Sequence, residues 1–74
     1  MEADTYIILR KSPDDSHAVA VSTSTDRSWI EQVLRNIMDG LGEECTTVWH
    51  GNHRCVAEYQ GNKFEYWIAK AIEL

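Results

Sequence analysis

The dipeptide Gly-Asn occurs twice in this chain, as Gly51-Asn52 and as Gly61-Asn62. Strand-like residues flank both copies. In that setting Gly-Asn is a strong signal for a two-residue hairpin turn, because glycine accepts the positive φ that primed turns require. Cys45 to Leu74 therefore reads as two consecutive hairpins sharing a middle strand, over about residues 44–60 and 54–73.

Two tight turns fix a register by counting. The first predicts His50 opposite His53, Trp49 opposite Arg54 and Val48 opposite Cys55; the second predicts Ala57 opposite Tyr66 and Val56 opposite Trp67. Side chains alternate between faces, and directly paired residues share one. One face is then expected to carry Val48, Cys55, Ala57, Tyr59, Phe64, Tyr66, Ile68, Ile72 and Leu74. The other carries Cys45, Thr47, Trp49, Arg54, Val56, Glu58, Glu65, Trp67, Ala69 and Ala71.

The preceding half supplies the rest of the fold. Thr5 to Lys11 and His17 to Thr23 have β-branched and aromatic strand character, separated by the turn-prone Ser12-Pro13-Asp14-Asp15-Ser16. Ile30, Val33, Leu34, Ile37, Met38 and Leu41 then recur at helical spacing, which predicts a helix over about 26–40. Thr25 or Asp26 can cap it, or Ser28 with Glu31 as a capping box one turn later; Gly40 and Gly42 end it. The predicted class is α+β: one small domain over 1–74, ordered β-β-α-β-β-β, an antiparallel sheet with one helix on one face. A single helix cannot cover five strands, so the second face is expected to stay open.

That open face is the predicted site. Trp49 and Trp67, with Val56 and Ala69 between them, form an apolar patch rimmed by Arg54, Glu58 and Glu65, with Arg54 placed to stack on Trp49. Trp and Arg are frequent interface anchors. The competing assignment buries these tryptophans under the first hairpin as ordinary core, since so small a chain needs every apolar side chain it has.

Composition decides between classes of partner. A formal charge of −5 disfavours direct binding to nucleic acid, whose non-specific affinity comes from neutralising phosphates. The same charge suits solubility, or docking on a basic surface such as the channel of a nucleic-acid-processing host protein. Met1-Glu2-Ala3-Asp4 does not read as a signal peptide, and no apolar run approaches the length of a membrane span. With two cysteines, a cytoplasmic chain with free thiols is expected.

Cys45, His50, His53 and Cys55 invite a zinc assignment, but their spacing fits neither paired CxxC knuckles nor a Cys2His2 finger. The expected register sends Cys45 to the opposite face from the other three. It leaves His50, His53 and Cys55 as the metal candidates and argues against a Cys45–Cys55 disulfide. No nucleophile elbow, glycine-rich phosphate loop or acidic metal motif is present, so no catalytic residue and no cofactor is assigned.

The leading expectation is a non-enzymatic protein-binding module, a regulator or inhibitor that docks its Trp-bearing face or a sheet edge on a larger protein, or on a second copy as a homodimer. Small acidic chains without catalytic motifs are common among such regulators, those encoded by bacteriophages included. The alternatives are stacking of single-stranded nucleic acid on Trp49 and Trp67, and a small metal module built on His50, His53 and Cys55.

Overall fold

The computed structural model describes residues 4–14 and 16–71. Five antiparallel strands and one helix form a small α+β domain: β1 (Tyr6–Lys11), β2 (Val19–Ser24), α1 (Arg27–Asp39), β3 (Thr46–Trp49), β4 (Arg54–Tyr59) and β5 (Asn62–Lys70). Ile72 and Leu74, expected on the helix side of the sheet, lie outside the described residues.

The strand order is β2-β1-β5-β4-β3. The last strand therefore fills the centre, between β1 and β4, and both strands joined by the helix lie at the edges. Helix α1 carries the chain from one edge of the sheet to the other, and it has to cross one face to do so. Strand β1 sits inside the sheet, which suits Ile7-Ile8-Leu9, a run apolar on both faces.

Asp26 caps the helix: it has extended backbone, and its carboxylate oxygen accepts from the Trp29 amide at 3.1 Å. Ser24 Oγ in turn accepts from the Asp26 amide at 3.0 Å, fixing the approach to the cap. The helix thus starts at the earlier of the two expected caps. Its apolar stripe packs as the spacing predicts. Ile30, Leu34 and Met38 are buried with Ile8, Cys55, Ala57 and Tyr66, and Val33, Ile37 and Leu41 pack against that cluster.

The two hairpins close differently from the expected turns. In the β4–β5 hairpin the central residues are Gln60 and Gly61, with φ of 51° and 81°, the pair of positive values that a type I′ turn requires. Tyr59 pairs with Asn62, Ala57 with Phe64 and Cys55 with Tyr66. That pairing differs from the expected one by two residues, an even number, so every side chain of β4 and β5 keeps its expected face.

The β3–β4 hairpin slips by one. Gly51 takes φ 71° and Asn52 does not take positive φ, a combination that a two-residue type II′ turn would also accept. The His50 amide instead donates to Arg54 O at 2.9 Å, enclosing Gly51, Asn52 and His53 in a three-residue loop. Trp49 then pairs with Cys55 and Val48 with Val56. A one-residue slip moves a whole strand's side chains to the opposite face. Trp49, Thr47 and Cys45 consequently follow Cys55 to the helix side, and Val48, expected in the core, faces outward at 52% exposure. The slip exchanges partial burial of a valine for partial burial of an indole, which is the larger apolar gain.

Candidate functional site

Face parity and pairing place the open side of the sheet residue by residue. Across the strands, Ala20, Leu9, Trp67 and Arg54 form one row; Lys11, Glu65, Val56 and Val48 form the next. Ile7 beside Ala69 flanks the first row, and Lys63, Glu58 and Thr46 flank the second. The helix covers none of these positions, because it lies against the other face with Ile8, Cys55 and Tyr66.

Leu9 is only 6% exposed although it lies on this uncovered side. It belongs to none of the buried cluster under the helix. The large side chain directly opposite it is Trp67, itself half-buried, so the indole is the group positioned to close over Leu9. Beside them Arg54 donates to Glu65 Oε2 at 2.8 Å, an exposed pair on adjacent strands. The ion pair divides the face into two apolar halves: Ile7, Leu9, Trp67 and Ala69 on β1 and β5, and Val48 with Val56 on β3 and β4. A cleft over the second half is bordered by Thr46, His50, Glu58 and Lys63.

Six of the seven residues expected on the binding face share it: Arg54, Val56, Glu58, Glu65, Trp67 and Ala69. Trp49 does not, for the reason of register given above; it borders Arg35 and Asp39 of the helix, 38% exposed. Arg54 faces Trp67 rather than Trp49, so the expected Arg54–Trp49 stack is not formed. The paired platform of Trp49 and Trp67 for stacking bases is not formed either, since a sheet separates the two indoles. Sequence reasoning missed Ile7, Leu9 and Val48 on this face. The first two were detectable, because an apolar run of both parities marks a strand covered on both sides.

The cysteine and histidine placement also changes. Cys45 and Cys55 lie on the same face, not opposite ones, and both are free thiols, Cys55 buried and Cys45 half-buried. His50 borders the open-face cleft, His53 sits in the loop, and Cys55 points into the core. Among the described residues no group of three or more His, Cys, Asp and Glu side chains is placed to hold a metal ion. Burial pushes the Cys55 thiol up from its ordinary value, against a smaller lowering from a backbone hydrogen bond with Val48.

Among the described residues, no element pairs with the outer edge of β2 or of β3. Strand β2 reads Val-Ala-Val-Ser-Thr-Ser and β3 reads Thr-Thr-Val-Trp, so neither carries a charge or a proline. Edge strands usually carry such residues to block pairing with another chain. Each of the two strands has another such device: β2 a bulge opposite Ile8 and Leu9, and β3 its length of four residues. No helix among the described residues is long and apolar enough to cross a membrane.

This is a five-stranded antiparallel sheet with the helix on one face and, among the described residues, a second face that no element covers and that mixes apolar patches with charged side chains. No protein-family model matches the chain, and no curated protein or solved structure matches it either.

Proposed function

We propose that the chain is a non-enzymatic protein-binding module, a cytoplasmic regulator or inhibitor that docks the open face of its sheet on a larger protein. The observation that carries this reading is the apolar surface of Trp67, Val48 and Val56, which none of the described elements covers. Neighbouring edge strand β3, free of charge and proline, extends the same surface with unpaired backbone groups. The acidic balance, −5 overall, favours a partner with a basic surface, of the kind nucleic-acid-processing proteins present.

The double variant Val48→Lys with Val56→Lys tests the reading. Both side chains lie on the open side and neither belongs to the buried cluster, so the variant is expected to fold. Proteins retained from a lysate by the parent chain and lost with the folded variant support the reading. Equal retention by both chains overturns it. Sedimentation of each chain alone shows whether the occupant is instead a second copy, in which case a parent dimer becomes a monomer on substitution.

A further inference from the structure

On the other side of the sheet, where β1 and α1 end, the chain leaves a cleft of about 330 Å³. Its walls are Leu41, Ala57, Tyr59, Phe64 and Tyr66, and its polar groups are Arg10, Ser12 and Cys45. Pockets that hold small molecules combine such apolar and aromatic walls with a few convergent polar groups, and this volume lies at the lower end of their range.

The guanidinium of Arg10 gives the cleft its chemistry. Arg10 stands directly opposite Tyr66, so it projects to the helix side of the sheet. Its Nε is buried and has no hydrogen-bond partner. None of the ion pairs among the described residues involves Arg10. A buried donor left unpaired on a charged group is costly, and folded proteins rarely retain one. Nε itself is closed to solvent, so a ligand in the cleft meets the rest of the guanidinium that lines it, and a carboxylate matches the paired Nη donors there.

We propose that this cleft is a binding site for a small aromatic monocarboxylate, with the carboxylate on Arg10 and the ring against Tyr59, Phe64 and Tyr66. One cation amid apolar walls matches one negative charge attached to an apolar body. A phosphate carries more charge than a single guanidinium offsets, and the walls offer it little else. The three aromatic side chains favour a ring over an aliphatic chain, through edge and face contacts. This site is independent of the docking surface, which lies across the sheet, and it stands or falls separately.

Titration of the purified protein with phenylacetate, followed by amide NMR shifts and calorimetry, tests the proposal. Binding is expected with a dissociation constant of roughly 0.1–1 mM, as befits so small a ligand. Shifts should be confined to residues around Arg10, Cys45, Phe64 and Tyr66. Phenylacetamide, the neutral isostere, is expected to bind at least tenfold more weakly, and so is acetate, which lacks the ring. Arg10→Met keeps the apolar stem and should lose phenylacetate binding tenfold or more. Because the ligand series uses the parent chain, the test survives if that variant fails to fold. Saturating phenylacetate should also slow iodoacetamide alkylation of Cys45. Equal binding of the acid and the amide, shifts elsewhere on the surface, no binding at 10 mM, or displacement of phenylacetate by equimolar inorganic phosphate would each overturn the assignment.

Discussion

Trp49 lies directly opposite Cys55, on the helix side of the sheet, because the loop between them holds three residues and not two. This register decides which side chains of β3 are load on the core and which are surface. It therefore has a direct stability signature. Trp49→Ala should cost more than Val48→Ala: about 1–2 kcal/mol for the partly buried indole, and within about 0.5 kcal/mol for the exposed valine. Urea denaturation of the two variants measures the difference, and the reverse order would restore the two-residue turn.

How much of this arrangement the sequence announces depends on the kind of signal. Helix α1 is legible because its six apolar residues follow one period and a capping residue precedes them. The faces of β4 and β5 are legible because an error of two residues in pairing leaves side-chain parity intact. The same error made with one residue flips β3, and nothing in Gly51-Asn52 distinguishes a loop of two residues from one of three. Gly51-Asn52 suits a two-residue type II′ turn equally well, and the partial burial of Trp49 on the helix side is what the longer loop gains. Strand order was equally beyond local signals, since the pairing of β1 with β5 joins the two ends of the chain. Arg10 went unnoticed because its isolation is a property of the assembled cleft alone.

At the start of the helix, the Asp26 carboxylate accepts from the Trp29 amide in an exposed turn. Asp26→Ala is expected to lower stability by about 0.5–2 kcal/mol, and Asp26→Asn by much less, because the amide oxygen still caps. Thermal unfolding of both variants checks this. Equal losses would mean that the carboxylate charge matters more than the hydrogen bond.

Core packing sets a larger scale. Leu34 is fully buried between helix and sheet, so Leu34→Ala leaves a cavity that costs about 2–5 kcal/mol. Domains of this size hold only a few kcal/mol in reserve. The variant should be largely unfolded at 37 °C by circular dichroism, whereas Gln32→Ala on the exposed side of the same helix should unfold like the parent.

The turn at Gln60 and Gly61 offers a stabilising change. Gln60 is the one described non-glycine residue with positive φ, which L side chains other than Asn and Asp tolerate poorly. Gln60→Asn creates Asn-Gly, the preferred type I′ pair, and should raise stability by up to about 1 kcal/mol. A higher melting temperature with unchanged partner capture is the expected result, since the turn lies at the far end of the hairpin from Trp67.

Cys55 makes stability depend on pH in the alkaline range. Burial disfavours its thiolate and raises its pKa in the folded state above the unfolded value. The sign follows from proton binding: between the two pKa values the unfolded chain has released the thiol proton and the folded chain has kept it. Stability associated with the neutral thiol is thus fully present below the unfolded pKa and is lost as pH rises through the folded one. The variant Cys55→Ala lacks the titrating group but pays for a small cavity, so it should be less stable than the parent at pH 7. Its deficit should shrink as pH rises from 7 to 10, because only the parent loses the thiol contribution. Denaturation of both chains across that range measures the closing gap. A deficit that stays constant would mean that Cys55 does not ionise differently in the folded and unfolded states.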